Sequence, residues 1–197
     1  MNMILDGTGD GYRAKVDSNN RLHTDSSSIS QADNAGINGD GYNINTGSIV
    51  LTSDSESGIA YISYTGTGQF VIKEIIVIIG STTGGSGDGV VEIIRNPTAG
   101  DTIDNAVEMD SIINRDFSSN KAFTGVAYKG AEGDTLNSGE TFANTTRSSF
   151  GTVVTFDAGV IVLGKSNSVG VSYTPPTGNT SQSVRVAFTA YEIKETT

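Results

Sequence analysis

The sequence predicts an all-β protein: an antiparallel β-sandwich of the jelly-roll type with a short N-terminal β-hairpin arm. Only 17% of the 197 residues are charged and 25 are glycine, which is typical of short strands joined by turns. From residue 48 onward, apolar runs with two-residue alternation recur at the spacing of a sandwich or jelly roll. Apart from a turn or two that residues 107–115 could form, no stretch shows the 3.6-residue period of an amphipathic helix.

The first expected element is a hairpin within an N-terminal arm, which we assign to residues 1–46. Two short alternating runs between residues 12 and 24 flank the segment DSNN at 17–20, whose Asp and Asn residues tolerate the backbone angles of a tight turn. An isolated hairpin is marginally stable in water. We therefore expect the arm to dock on its own domain, a sister subunit or a larger scaffold, and we interpret residues 26–41 as a linker.

The expected body, residues 47–197, opens with strand candidates at 48–52 and 59–64. The strongest candidate, residues 70–79, is apolar on both alternating faces, which predicts a central strand that is covered on both sides. One face would carry Phe70, Ile72, Ile76 and Ile78, and the other Val71, Ile75, Val77 and Ile79. After a glycine-rich loop at 80–89, a strand at 90–94 ends before Pro97, because proline cannot donate to a β-ladder.

The remaining candidates complete the two sheets. Weaker ones lie at 107–113 and 122–128, and clearer ones at 152–156, 160–163, 169–173 and 183–193, with turns at 157–159 and 175–179. In the last strand, one face carries Val184, Val186, Phe188 and Ala190, and the other Arg185, Thr189 and Tyr191. This alternation predicts one buried and one solvated face.

Composition excludes several classes of function. The chain has no cysteine, which rules out thiol catalysis, disulfides and cysteine-ligated metals. No apolar run approaches the roughly 18 residues of a membrane span, so we expect no membrane partner. The formal net charge is −10, and the 12 basic residues are scattered along the chain, which argues against a nucleic-acid partner because phosphate contacts need clustered Lys and Arg.

Each candidate for chemistry has a simpler interpretation. His23 is the single histidine, but no serine elbow motif accompanies it, so a surface or interface role is favoured. The loop 80–89 lacks the Gly-Lys-Ser/Thr ending of a phosphate loop. The segment 6–11 resembles a calcium loop but supplies only two carboxylates, and nothing selects a glycosidase-like carboxylate pair. We therefore predict no catalytic residue, no metal and no cofactor, and hence no enzyme.

Five segments, in their order along the chain, resemble bacteriophage virion proteins of the head decoration, cement or head-fibre type, which have a short N-terminal module and a jelly-roll body. The segments are 6–22 (DGTGDGYRAKVDSNNRL), 42–47 (YNINTG), 94–98 (IRNPT), 128–134 (YKGAEGD) and 175–179 (PPTGN). The resemblance implies a non-catalytic subunit, commonly a homotrimer. It also implies that the subunit binds the major capsid protein on the outer surface of the phage head, after synthesis in the host cytoplasm.

The resemblance places the capsid contact in the arm, and residue types select the contact residues. These are Tyr12, Arg13, Lys15, Arg21 and Leu22. Tyrosine and arginine carry much of the energy of protein interfaces, although charges on a short hairpin can also serve only to solvate it or to prevent unwanted strand pairing. An alternative is a tail- or fibre-associated receptor-binding module with the same body; a polysaccharide depolymerase would require an acidic cleft.

Overall fold

A computed structural model describes residues 30–97, 103, 107–136, 138–148 and 151–194, together with the backbone of two short strands near the N-terminus. The chain divides into two compact units, residues 1–30 and 31–197. In the smaller unit, strand β1 (Lys15–Val16) pairs antiparallel with β2 (Leu22–His23). The predicted hairpin is therefore confirmed for these two strands.

The described part of the larger unit is almost entirely β-structure, as the sequence predicts. It contains one short helix, α1 (Gln31–Ile37). Its strands are β3 (Gly41–Asn45), β4 (Ile49–Leu51), β5 (Ser57–Tyr64), β6 (Gln69–Ile79), β7 (Asp88–Arg95), β8 (Val107–Glu108), β9 (Ser111–Asn114), β10 (Gly125–Lys129), β11 (Glu140–Ser148), β12 (Thr152–Leu163), β13 (Ser168–Thr174) and β14 (Gln182–Ile193).

The strand order is that of a jelly roll. The first sheet has the order β12-β6-β14-β3-β9, with β4 also paired to β14, and the second has the order β11-β7-β13-β5-β10-β8. All of these pairs are antiparallel. Along β4 to β7, and again along β11 to β14, each successive strand lies in the other sheet. This alternation is the double Greek key of a jelly roll, and it confirms the predicted fold class.

The core lies between the two sheets. Strand β14 confirms its predicted buried face, because Val184, Val186, Phe188 and Ala190 are all buried in the core. The other face is solvated only in part, because Tyr191 is buried beneath α1. An aromatic group anchors the segment between β9 and β10 to this core: the Phe123 ring lies 4.8 Å from that of Phe70 and 6.0 Å from that of Tyr42. Aromatic pairs at such distances add about 0.5–1.5 kcal/mol each to the burial of their area.

Strand β6 occupies the predicted central position, between β12 and β14, but its faces differ from the prediction. Two adjacent residues of β14 lie opposite Glu74 and Ile72, so that Lys73 is the extra residue of a β-bulge. A bulge shifts the alternation by one residue. The side chains that enter the core are Phe70, Ile72, Ile75, Val77 and Ile79. The expectation of two equally covered faces is therefore wrong, since Ile76 and Ile78 face outward and Ile78 is exposed.

The linker interpretation of residues 26–41 is wrong for its second half, where α1 forms. Ala32 and Ala35 of this helix are buried against Val71 and Tyr191 on the outer face of the first sheet. Since a seven-residue helix is marginal on its own, this packing stabilises it. Residues 31–46, which the sequence assigned to the arm, lie in the larger unit, where β3 pairs with β14.

Two further differences concern strands. The predicted turn at 157–159 is instead an irregularity within the continuous strand β12, where the pairing with β6 shifts between Asp157 and Ile161. Strand β11 was not predicted, because its sequence ETFANTTRS is mostly polar. Both strands lie at the same edge of the sandwich, β12 in one sheet and β11 in the other.

Candidate interaction surfaces

The exposed apolar side chains of the described residues concentrate at the two open edges of the sandwich. The exposed large apolar residues are Ile37, Val50, Ile78, Val107, Ile112, Ile113, Phe117, Phe142, Val153 and Val162. One edge, the β11–β12 edge, carries Phe142, Val153 and Val162. The opposite edge, the β8–β9 edge, carries the group from Val107 to Phe117. Grouped exposed apolar residues mark surfaces that other molecules cover.

Strand β12 has the properties of an edge that is covered in an assembly. It runs for 12 residues with the sequence TVVTFDAGVIVL, which contains no lysine and no proline. Natural proteins protect long exposed edge strands with such residues, because the unpaired backbone groups would otherwise recruit another strand. The interruption between Asp157 and Ile161 is the one protective feature within this strand.

A cleft of about 350 Å³ opens at the β11–β12 edge between the two sheets. Its apolar lining consists of Ile93, Phe142, Ile161, Val162, Leu163 and Val169, and its polar lining of Arg95, Asn96, Asn167 and Ser168. The Asn96 side-chain oxygen accepts hydrogen bonds from the backbone N–H of Ser168 (3.1 Å) and from the side chain of Asn167 (3.3 Å). These bonds fix the polar end, so the cleft is preformed and suits an apolar group with a charged neighbour.

Two opposite charges stand beside this cleft. The guanidinium of Arg95 lies 3.5 Å from a carboxylate oxygen of Glu140, and the two side chains are 66% and 79% exposed. An ion pair with this exposure contributes little to stability. Both charges are therefore available to a partner at small energetic cost.

At the opposite edge, Phe117 is held outward by a fixed loop. Its side chain is 92% exposed. The Asp116 backbone N–H donates to the side-chain oxygen of Asn114 (2.9 Å), and one Asp116 carboxylate oxygen accepts from the N–H and the hydroxyl of Ser118 (2.9 and 2.7 Å). These bonds from Ser118 lower the pKa of Asp116 below its ordinary value, so the loop presents an aromatic ring next to a carboxylate that is ionised at neutral pH.

The Asn114 side chain anchors the same loop to its surroundings. Its amide nitrogen donates to the backbone carbonyls of Gly39 (2.7 Å) and Lys121 (3.1 Å). The segment after α1 and the segment after β9 are thereby joined. The position of Phe117 is consequently set by the sandwich rather than by the local sequence alone.

The buried polar side chains hold loops in place. Asn179, which is 4% exposed, donates to the carbonyls of Leu51 and Ser53 (both 3.0 Å) and accepts from the Thr82 hydroxyl (2.6 Å). Thr82 belongs to the glycine-rich loop 80–89, in which Thr83 also forms a β-bridge to Ser181. This loop is therefore fastened to its neighbours by hydrogen bonds.

A second buried polar pair links β13 and β14. Gln182 accepts a hydrogen bond from the Tyr173 hydroxyl (2.8 Å) and donates to the carbonyl of Gly80 (2.9 Å). Burial raises the pKa of Tyr173 to about 12, although the bond to Gln182 acts in the opposite direction. The tyrosine is therefore protonated at neutral pH and serves as a hydrogen-bond donor.

An ion-pair cluster lies beside the end of α1. Asp40 contacts the ammonium groups of Lys121 (3.0 Å) and Lys194 (2.9 Å). Burial alone would raise the pKa of Asp40, but the hydrogen bonds and positive charge of the two lysines outweigh it and lower the pKa. Asp40 raises the pKa of Lys194 in turn. Asp40 and Lys194 are therefore charged at neutral pH, and the cluster ties β3 to the C-terminal end of β14.

Of the residues that the sequence proposed for capsid contact, Lys15 and Leu22 lie in the hairpin, where they pair with His23 and Val16 respectively. Tyr12, Arg13 and Arg21 lie outside the described residues, as does the calcium-like segment 6–11. The contact role of all five remains a prediction.

Among the described residues, no group of three or more His, Cys, Asp or Glu side chains could hold a metal ion, and no helix has the length and apolarity needed to cross a membrane.

Sequence reasoning missed Phe117 and the cleft. The residues of the cleft come from β7, β11, β12 and β13, which are distant in sequence, so no local pattern marks them. Phe117 stands in a polar segment, RDFSSN at 115–120. The sequence offered one signal for Phe117, namely an aromatic residue between polar neighbours. This signal points to a contact residue only when the side chain is known to be exposed.

No protein-family model matches the chain, and no curated protein sequence matches it. Among solved structures, it matches one of infectious bursal disease virus, Gt strain, with 10% identity and a TM-score of 0.21, over 79% of this chain and 40% of that chain. It matches the crystal structure of the infectious bursal disease virus VP2 subviral particle with 10% identity and a TM-score of 0.20, over 79% of this chain and 42% of that one. The chain thus spans about two fifths of the length of these proteins. At such low TM-scores the likeness adds nothing to the fold assignment, which rests on the strand order.

Proposed function

We propose that this chain is a non-enzymatic structural protein of a bacteriophage particle, a decoration or cement protein that binds the outer surface of the head and stabilises the shell. The observation that carries the proposal is the placement of exposed apolar side chains at both open edges of a jelly roll. A subunit that packs against several neighbours needs such surfaces. The order of the five sequence segments described above supports a phage head as the setting.

In this function the N-terminal arm binds the major capsid protein while the body packs against sister copies. Tyr12 and Arg13 are the first choices for the contact, because truncation of aromatic and arginine residues at the centre of an interface commonly costs 2 kcal/mol or more. Each copy then links neighbouring capsomers. Stabilisation follows by mass action, since a ligand that binds only the assembled shell shifts the equilibrium toward that shell.

The test uses the double variant Tyr12→Ala/Arg13→Ala on capsids that lack this protein. We expect its occupancy, measured by co-sedimentation and gel densitometry, to require at least about 30-fold more protein than the wild type, which corresponds to the loss of about 2 kcal/mol. The matched control is Lys165→Ala, which removes an exposed positive charge from the body and should leave occupancy unchanged.

Circular dichroism must show that the double variant keeps its folded body. Unchanged occupancy with a folded body would contradict the docking role of the arm. Wild-type protein that ignores capsids and binds host cells or glycans would overturn the decoration function and favour the receptor-binding alternative.

A further inference from the structure

We propose that copies of this chain associate head to tail, with Phe117 of one copy seated in the cleft at the β11–β12 edge of the next. The inference deepens the proposed function, because it names the contact between sister copies. It can be tested in the isolated protein without any capsid.

The two surfaces match in shape. The cleft has a volume of about 350 Å³ and six apolar lining residues, and an apolar cavity of about 150 Å³ is already sufficient to hold benzene. The phenyl ring of Phe117 therefore fits with room for part of its loop. An aromatic side chain in a preformed pocket is the commonest arrangement of a strong interface contact.

The charges match as well. Asp116 precedes Phe117 and is ionised at neutral pH, while Arg95 lines the cleft that Phe117 would enter. Arg115 precedes Asp116 in the loop, and Glu140 lies beside Arg95 at the cleft. In the proposed contact Asp116 would therefore face Arg95, and Arg115 would face Glu140. Complementary charges of this kind set the register of a contact.

Topology identifies the occupant as a second copy. Strands β9 and β12 are the two opposite edges of the same sheet, so the loop after β9 and the cleft beside β12 face away from each other on one molecule. A chain that carries both halves of a complementary pair on opposite edges forms a heterologous contact, which repeats from copy to copy and gives a closed ring or an open filament, depending on the rotation between copies. The same contact brings a neighbour to the long edge strand β12.

Size-exclusion chromatography with light scattering measures the association. We expect the wild type to form oligomers with masses at multiples of the 20.4 kDa chain mass, three times that mass for a trimeric ring, and Phe117→Ala to require at least about 30-fold higher concentration to associate. Val50→Ala is the matched control, because Val50 is also an exposed apolar residue but belongs to β4 and is part of neither the cleft nor the Phe117 loop. A monomeric wild type, or an unchanged Phe117→Ala variant, would overturn the proposal.

A mixing experiment separates this contact from two-fold pairing of identical surfaces. Phe117→Ala keeps an intact cleft, and Arg95→Asp keeps an intact Phe117 loop. Each variant alone should be monomeric, while an equimolar mixture should form a one-to-one heterodimer. A mixture that stays monomeric, while circular dichroism shows both variants folded, would contradict the head-to-tail arrangement. Neither substitution touches the arm, so self-association and capsid binding can fail separately. If the wild-type protein associates but does not bind capsids, the proposed function is contradicted while the contact between copies stands.

Discussion

Deletion of Lys73 tests whether this residue is the extra one of a β-bulge in the central strand β6. Lys73 is exposed and contributes no buried side chain, and it is the extra residue opposite β14. Without it, the alternation of β6 runs unbroken, and the five side chains of this strand that enter the core still point inward. Deletion of Arg185 is the contrast, because Arg185 is also exposed but lies in a regular part of β14; if residues 186–193 keep their places, Val184 turns outward and Ser183 takes its inward position.

The cost of each deletion follows from the side chains that it displaces. Deletion of Lys73 displaces no buried side chain, so we expect it to cost about 2 kcal/mol or less. Deletion of Arg185 removes Val184, which is 1% exposed, from the core. The lost burial costs about 1.5–3 kcal/mol, and a serine hydroxyl that is buried without a partner adds about 1–3 kcal/mol.

Urea unfolding, followed by circular dichroism and tyrosine fluorescence, measures the free energy of unfolding. We expect the Lys73 deletion to lose about 2 kcal/mol or less and the Arg185 deletion to lose clearly more, about 2.5–6 kcal/mol. Lys73→Ala is the matched control, because it keeps the bulge and should stay within about 0.5 kcal/mol of the wild type. A Lys73 deletion that costs as much as the Arg185 deletion would refute the role assigned to the bulge.

Two other predictions concern polar groups. Asp40→Asn should lower the free energy of unfolding by about 1 kcal/mol at neutral pH, because it weakens the pairs with Lys121 and Lys194. The pKa of Asp40 in the folded protein lies below its ordinary value of 3.8. The stabilisation by Asp40 is therefore present above that pH and is lost as the pH falls through the folded pKa. If the free energies of unfolding of Asp40→Asn and the wild type still differed by the same amount at about pH 2, this origin would be contradicted. Asn179→Ala should cost about 2–3 kcal/mol in urea unfolding, because it leaves buried carbonyls without a donor. Asn144→Ala, an exposed amide on β11, should have almost no effect, and equal losses for the two variants would contradict the assigned role of Asn179.

The strands that could be predicted are those whose burial follows their own alternation. Strand β14 is the best case, because apolar residues occupy its inward positions from Val184 to Ala190, and the polar residues Ser183 and Arg185 between its first inward positions are exposed. The predicted strand at 59–64 corresponds to β5 and that at 90–94 to β7, with small differences at the ends. In each case local pattern and tertiary environment agree, which is the condition under which sequence reasoning succeeds.

The missed elements are those that tertiary contacts impose. Helix α1 has only two buried residues, and they are buried because the outer face of the first sheet lies beneath them. The polar strand β11 is held by its pairing with β7. The bulge at Lys73 was missed because both alternating faces are apolar on either side of the charged residues Lys73 and Glu74, so the change of phase between the two halves of β6 could not be recognised.

The functional surface was the least accessible to sequence reasoning. Residue types could single out Tyr12 and Arg13 as contact candidates, because these types recur in interfaces. They could not reveal that Phe117 and the cleft lie on opposite edges of one sheet. That relation depends on which strands are neighbours, and neighbours in a jelly roll are far apart in sequence.

The position of β14 governs how the domain forms during synthesis. This strand pairs with β6 on one side and with β3 and β4 on the other, so the first sheet lacks its middle until residues 182–193 have left the ribosome. Until then the apolar positions of β6 have no strand beside them on that side, and partly made chains expose surface that promotes aggregation. The first sheet of the body therefore cannot be completed before β14 has been made, and a ribosome-bound chain that stops before residue 182 should be sensitive to proteases and bind general chaperones.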